Sequence, residues 1–541
     1  MKKNSIRRFA ITVVATLLLI CGESARVPAM QSRVSQIDRD LTEATIAQLQ
    51  SMYASGKYTV TQVTQWHLDR IARYDGVYKA LLHVDSAGAL ALAASEDAAK
   101  RRAGAGFKPG PLWGVPIVTK ANTSVKGLVT SNGWQGYLIP GLELIAPADA
   151  TIVLKLKAAG AVIVGQTNMP DFAAADTTIS SAGGRTGNAY NWHFSPGGSS
   201  GGTATAVAAD FAVIGTGTDT SNSIRLPSGA SGLVGVLPTR GLVSINGIHP
   251  FDWLLDNAGP SARNVTDAAT ALTAMAGEDA KDFRTRGSSA KAQQGPYTQY
   301  LKKDALKGKR FGVPAFIVKE APGGVRDDVS LRPETRAMFM KAVDGLRAAG
   351  AVVVFDDAIL PQSFEALTEA IQTGPYLREG IERFLQDFGP AKYHSTADYA
   401  RVVGSSLPPF FAGIPLRSLD TDAAAETNFF APQRRALAVY QDTLERFRLD
   451  GFVYPALQMP PNDETIRQPD GQPSRGPHTR TGWVNTIGVP AVVVPGGFYS
   501  NGLPFGIEFS ARPWKDGDLL GFAFAYEQAT QYRKPPVLVE R

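Results

Sequence analysis

The strongest constraint on how this chain folds is a nine-residue pattern that occurs twice. Leu156-Lys-Ala-Ala-Gly-Ala-Val-Ile-Val164 is echoed by Leu346-Arg-Ala-Ala-Gly-Ala-Val-Val-Val354. Each copy reads as the end of a helix, a glycine that closes it, and a strand without polar residues. A strand with no polar alternation is buried on both faces, so it belongs to a sheet with helices packed on either side. Ala491-Val-Val-Val-Pro495 reads as another such strand. The expected fold class is therefore α/β: a large mixed, mainly parallel central sheet covered by helices on both faces. Residues 41–55 and 59–75 carry apolar side chains at helical spacing, the first stopped by Gly56 and the second capped by Thr59 or Thr61. The Ala-rich run 86–104 reads as a further helix, and a turn at Pro109–Pro111 leads into a strand ending near Lys120. Residues 279–300 are polar and read as a surface loop. The 541 residues leave room for several domains, but no boundary is visible, and residues 40–535 read as a single domain.

Composition narrows the chemistry. One Cys and six His rule out a disulfide framework within the chain and any Cys-based metal site. The six His never occur at H-x-x-H, H-x-x-x-H or H-E-x-x-H spacing, which speaks against a helical zinc site. Part of the formal charge of +6 sits at the N-terminus, where Lys2, Lys3, Arg7 and Arg8 precede an apolar run from Phe9 to Cys21. That run is short for a membrane span of about 20 residues. Residues 1–25 read instead as a secretory signal peptide with cleavage near Ala25. A lipid-bearing Cys21 (disfavoured by the bulky Ile20), an uncleaved anchor and twin-arginine export are the variants of this reading. Removing the four basic residues together with Glu23 lowers the charge by three, to +3. The mature chain is thus expected to be exported, periplasmic or secreted, with no stable membrane span and no nucleic-acid footprint.

The chemistry concentrates in residues 196–240. Gly197-Gly-Ser-Ser-Gly-Gly202 has the composition of a flexible turn, yet a long Ala/Val segment follows it directly. No Gly-Lys-Ser/Thr follows, so a phosphate-binding P-loop fails. The loop instead feeds a buried helix whose amino end offers backbone N–H groups to negative charge. Downstream, Gly217-Thr-Asp-Thr-Ser-Asn-Ser-Ile-Arg-Leu-Pro227 crowds hydroxyl residues between Asp219 and Arg225. These two read as a structural ion pair that fixes the loop, leaving successive N–H groups as an oxyanion hole. A serine hydroxyl needs a base to attack anything. No His lies in either segment, so a Ser-His-Asp triad has no local support. Lys120 ends the apolar run Trp113-Gly-Val-Pro-Ile-Val-Thr-Lys120. Burial there depresses a lysine's pKa and lets the neutral amine accept a proton.

These segments closely resemble the core of the amidase signature family of serine hydrolases. Trp113–Lys120 is similar to the family's Gly-x-Pro-x-x-x-Lys, Ser199 is the first serine of Gly-Gly-Ser-Ser-Gly-Gly, and Ser223 precedes Ile-Arg at the family's spacing. Gln166–Met169, Gly232–Arg240, Gly488–Gly506 and Leu519–Glu527 are similar too, so the resemblance covers nearly the whole chain after residue 40. It implies the amidase signature fold and a Ser-Ser-Lys relay. Ser223 attacks an amide carbonyl, Ser199 passes the proton to Lys120, and backbone N–H groups of Thr220, Ser221, Asn222 and Ser223 hold the oxyanion. It also implies a cis peptide at Ser199, no cofactor and no metal. The expected function is an exported amidase that releases ammonia or an amine through a seryl acyl-enzyme, acting on a small-molecule or peptide amide. Ala525-Tyr-Glu-Gln-Ala-Thr530 resembles the bacterial peptide-amidase branch. The alternatives are a non-catalytic binding protein on the same scaffold and an amidotransferase A-type subunit.

Two positions depart from the family pattern. Ala121-Asn122 follows the lysine where many members have Asp, and Ser221-Asn222 replaces the usual Gly-Gly before the nucleophile. If that turn requires positive φ, Ser221 is strained there. His193 reads as a packed residue beside the Gly-rich loop, and His249 and Trp253 as structural. Phe410-Phe411 and Phe429-Phe430 read as core packing, with a pocket wall as the rival.

Overall fold

A computed structural model of the protein describes residues 35–318, 330–467, 471 and 476–540. The signal-peptide reading of residues 1–25, with Cys21, lies outside the described residues. The chain falls into two units, Met1–Asp40 and Leu41–Arg541, and the second is described here by itself. Its strands are β1 Leu81–Val84, β2 Val115–Lys120, β3 Ala161–Thr167, β4 Ile179–Ser180, β5 Gly184–Arg185, β6 Ile214–Asp219, β7 Val234–Leu237, β8 Asn257–Ala262, β9 Arg310–Val313, β10 Val352–Phe355, β11 Gly451–Pro455, β12 Ala491–Phe498 and β13 Pro504–Ala511. Strands β4 and β5 form a small hairpin; the other eleven make one sheet in the order β1-β3-β2-β6-β8-β7-β12-β13-β11-β9-β10.

The sheet is large and mixed, as the apolar strands require. Its balance differs from a mainly parallel sheet: β2/β3, β2/β6, β9/β10 and β9/β11 pair parallel, while the six remaining neighbours pair antiparallel. The reason lies in the connections. A tight turn joins β12 to β13 as a hairpin, and short links of this kind produce antiparallel neighbours. The parallel pairs cluster around β2 and β9, where helical crossovers intervene.

Both copies of the repeated pattern fold as helix, glycine, strand. Helix Thr151–Ala158 leads through Gly160 into β3, and helix Pro333–Ala348 leads through Gly350 into β10. The two glycines have φ of 93° and 91°, the left-handed region that closes a helix and that side chains disfavour. The copies part company in burial. All of β3 is buried, whereas β10 ends the sheet and leaves Val352 and Phe355 each 43% exposed. The expectation of burial on both faces therefore fails for the second copy, because the helical layers do not fully cover the last strand.

The N-terminal helices run Ile46–Ala54 and Val60–Tyr78, each opened by a reciprocal capping box, Thr45 with Gln48 and Thr59 with Gln62. The Ala-rich helix is Ser86–Ala103. The polar stretch 279–300 is not a plain surface loop. It contains helical turns at Phe283–Thr285, Ser288–Lys291 and Tyr297–Tyr300, and Thr285, Ser288 and Tyr297 are buried. Among the described residues no helix is long and apolar enough to cross a membrane.

Candidate active site

Three elements position the candidate residues: Lys120 and Ser199 are in contact, and Ser223 lies on a loop fastened to the one that carries Ser199. β2 and β6 are parallel neighbours, with Ile117 beside Ile214 and Val118 beside Gly215, so their carboxyl ends open side by side. Open α/β sheets characteristically bind ligands at those ends. Lys120 is the last residue of β2, and Thr218 and Asp219 close β6. Ser199 stands just before helix Gly201–Ala208, whose eight residues are all buried. Their small side chains let that helix lie within the core. Ser223 stands just before the short helix Arg225–Ala230, and Ser200 N donates to Ser223 O at 3.1 Å, fastening the two loops together.

Lys120 Nζ lies 2.7 Å from Ser199 Oγ, 2.9 Å from Thr218 Oγ1 and 3.4 Å from Thr218 O. As the ammonium, Lys120 donates to Ser199 and Thr218. Once neutral, with two N–H groups and one lone pair, it can keep Thr218 as acceptor of its N–H groups and turn its lone pair to the Ser199 hydroxyl. Lys120 and Ser199 are wholly buried, and Ser223 retains 6% exposure. Burial pushes the Lys120 pKa down from 10.5 to about 7, against the opposing pull of Asp256 and Asp219. The peptide between Gly198 and Ser199 is cis, as the family resemblance implies. A Cβ on Gly198 would stand 2.3 Å from the Thr177 carbonyl oxygen, so only glycine fits there.

The loop Thr220–Ser223 turns its carbonyls toward the protein. Asp219 O accepts from Asn485 Nδ2 at 2.7 Å, Asn222 O from Leu226 N at 2.8 Å, and Ser221 O from the Arg225 guanidinium. In a planar trans peptide the next N–H points the opposite way. The N–H groups of Thr220, Asn222 and Ser223 are thereby directed away from these partners. Ser221 and Asn222 do not have positive φ, so the strain expected of a Gly-Gly replacement is absent. Asn222 is held through its side chain by Asp176, and Ser221 is exposed.

Asp219 and Arg225 pair as expected, with Nε to Oδ2 at 3.2 Å, but they are part of a larger network. Arg225 Nη1 donates to Glu508 Oε1 at 2.5 Å and to Thr481 O at 3.1 Å, and Tyr454 OH donates to the same Glu508 oxygen at 2.8 Å. Arg225, Asp219 and Glu508 are completely buried. Sequence reasoning assigned no role to Glu508, Asn485, Thr218 or Asn122, whose Nδ2 donates to Thr218 Oγ1 at 3.1 Å. The one available signal was Glu508, a lone acid within the apolar strand Pro-Phe-Gly-Ile-Glu-Phe-Ser.

His249 and Trp253 behave as structural residues. The His249 ring meets Tyr137 OH at 3.0 Å and Asn132 Nδ2 at 2.9 Å, and burial lowers its pKa to about 3. Trp253 Nε1 donates to Tyr376 O at 3.1 Å. His193 packs its ring on Trp192, 4.1 Å between centroids. Phe411 and Phe429 are core residues, but the core reading fails for Phe410 and Phe430, which are 54% and 36% exposed, and Phe410 stacks on Phe251. Among the described residues no group of three or more His, Cys, Asp or Glu is placed to hold a metal ion.

A buried lysine hydrogen-bonded to one serine, with a second serine on the adjoining loop, defines the candidate centre of this α/β fold. The chain belongs to the amidase family, the amidase signature enzymes acting on C–N bonds, whose family model matches residues 62–520. It is 31% identical over 504 residues to the glutamyl-tRNA(Gln) amidotransferase A subunit of Acinetobacter baumannii, covering 91% of this chain and 97% of that one. The corresponding protein of Chloroflexus aurantiacus is 32% identical over 92% of this chain and all of its own. Among solved structures, native peptide amidase from Stenotrophomonas maltophilia superposes with a TM-score of 0.75 at 31% identity, over 92% of this chain and 99% of that one. A peptide amidase complex with the competitive inhibitor chymostatin gives 0.77 at the same identity and coverage.

Proposed function

We propose that this chain is an amidase that hydrolyses a carboxylic amide through an acyl-enzyme on Ser223. The 2.7 Å contact between Lys120 Nζ and Ser199 Oγ in a sealed site carries this reading. As the Ser223 oxygen bonds to the substrate carbonyl carbon, its proton passes to Ser199 Oγ, and the Ser199 proton passes to neutral Lys120. The carbonyl oxygen takes up negative charge opposite the N–H groups of the Thr220–Ser223 loop. When the tetrahedral centre collapses, Ser199 returns a proton to the leaving nitrogen, which departs as ammonia or amine, and Lys120 reprotonates Ser199. Water then enters by the same relay, and the acid is released. The substrate class we favour is a peptide amide, supported by the likeness to the Stenotrophomonas maltophilia enzyme. Export, through cleavage near Ala25, is part of the proposal. N-terminal sequencing of the chain recovered outside the cytoplasm tests it; a full-length cytoplasmic chain overturns it.

A second reading has specific support, because the curated relatives at 31–32% identity are named as the A subunit of glutamyl-tRNA(Gln) amidotransferase. In that reading ammonia comes from glutamine and is delivered to a partner. One assay separates the two: ammonia and amine release by the purified chain from C-terminal peptide amides, anilides, aliphatic amides, esters and glutamine. Turnover of amides by the chain alone supports the hydrolase. Glutamine turnover that appears only with a co-purifying partner supports the amidotransferase.

The lysine base makes a pH prediction. With a pKa of about 7, neutral Lys120 dominates above that pH. Amide kcat/KM is expected to rise with near-unit slope from pH 5 to 6, bend near pH 7 and level off above pH 8, lying about 100-fold below the plateau at pH 5. A flat profile from pH 5 to 9 excludes lysine as the base.

A further inference from the structure

A buried carboxylate outside the relay touches the proposed oxyanion loop. In the antiparallel register of β6 with β8, Thr218 faces Ala258 and Asp219 faces Asn257. Continued by one residue, this register sets Thr220 opposite Asp256, just beyond both strand ends. There the Thr220 hydroxyl donates a short hydrogen bond to Asp256 Oδ1. Asp256 Oδ2 accepts from the backbone N–H groups of Phe251 at 3.0 Å and Asp252 at 3.2 Å. The Asp256 carbonyl accepts from Arg284 Nη1 at 2.9 Å, and Arg284 is itself held by Asp282 at 2.7 Å. The carboxylate is thus tied to a turn that is bonded from several sides, and its remaining contact reaches the first residue of the loop. Asp256 is 2% exposed, and a carboxylate is retained in such a place only with its oxygens engaged.

We propose that Asp256 is a positioning residue for the oxyanion hole, acting through the Thr220 hydroxyl to fix where the Thr220–Ser223 N–H groups stand. The proposal rests on the reading of that loop as the hole. Donors aimed at an oxyanion act only at a defined spot, and a misplacement of about 1 Å costs as much as 100-fold in rate. Fixing Thr220 fixes one end of the loop; Arg225, which takes the Ser221 carbonyl, fixes the middle. The two anchors come from different segments: the turn just before β8 supplies one, and the helix after Ser223 supplies the other.

The test compares Thr220→Val, Thr220→Ser and Asp256→Asn with the unaltered chain. Each is assayed with the amide turned over fastest and with the peptide aldehyde of the same acyl group, whose adduct with Ser223 places an oxyanion in the hole. Thr220→Val and Asp256→Asn are expected to lower kcat about 10- to 100-fold and to weaken aldehyde inhibition by a similar factor. KM is expected to stay within about 3-fold, and Thr220→Ser to restore the loss. A merely structural role moves none of these selectively. Thr220 is only partly buried, so Thr220→Val gives the result even where Asp256→Asn lowers the melting midpoint. Unaltered kcat and aldehyde inhibition in Thr220→Val overturn the proposal, as does a rise in KM alone. Ser223→Ala run alongside separates the two levels: full turnover there defeats the reading of the site itself. An inactive Ser223→Ala beside a fully active Thr220→Val defeats only the anchor.

Discussion

Ser223→Ala is expected to leave a folded protein whose amide turnover is reduced about 10⁴- to 10⁶-fold, the scale seen when a nucleophilic serine is removed from a relay. The fold should survive because the contact fastening Ser223 in place comes from its backbone, Ser200 N to Ser223 O, and alanine keeps it. Lys120→Ala is expected to fall in the same range. Without the amine nothing takes the Ser199 proton, and a serine that cannot pass its proton on cannot accept one from Ser223. Ser199→Ala should lose nearly as much, since it removes the group that touches Lys120. These losses should not add. The Ser199→Ala/Lys120→Ala double variant is expected to be no worse than the weaker single variant, because one relay is broken once. Single-turnover acylation, read by active-site titration, measures all of them. Ser223→Ala with normal turnover would end the assignment, and additive losses would mean that Ser199 and Lys120 act separately.

The proposed relay could be read before the fold because it needs only short segments. Gly-Gly-Ser-Ser-Gly-Gly, the serine before Ile-Arg and the lysine after an apolar strand each declare themselves locally. The sandwiched sheet was equally legible from β3, whose seven residues are all buried. What could not be read lies across the chain or past the end of a pattern. Glu508 meets Arg225 from 283 residues away, and no spacing rule joins them. The second copy of the repeated strand is as free of polar residues as the first, yet its place at the sheet edge leaves it part exposed. Position in the strand order decides that, and strand order is a property of the whole chain. Asp256 was silent for a related reason, since its partner Thr220 is adjacent only through the β6/β8 register. The Ser221-Asn222 departure suggested strain because a glycine pair permits positive φ without requiring it. The loop takes ordinary φ at both residues.

The Arg225 network carries the largest expected effect on stability. Arg225→Met keeps the apolar stem and removes the guanidinium from between Asp219 and Glu508, both fully buried. Breaking a buried ion pair from one side leaves an uncompensated charge and costs about 3–5 kcal/mol. Here two carboxylates lose their partner, along with the carbonyls of Ser221 and Thr481. Arg225→Lys should recover little, because one ammonium cannot reproduce a planar fork reaching four residues. The sign of the pH dependence follows from Glu508. Burial already raises its pKa, and Arg225 lowers it, so removing Arg225 raises it further in the folded state. A group whose folded pKa is raised binds its proton more tightly when folded, and the associated stability is lost as pH rises. The deficit of Arg225→Met is therefore expected to be smaller near pH 5 and to widen toward pH 8. Unfolding rates in denaturant at the two pH values measure it, which suits a chain of 541 residues whose unfolding need not be reversible. A deficit that stays below about 1 kcal/mol at pH 8, or that shrinks as pH rises, contradicts this account of the network.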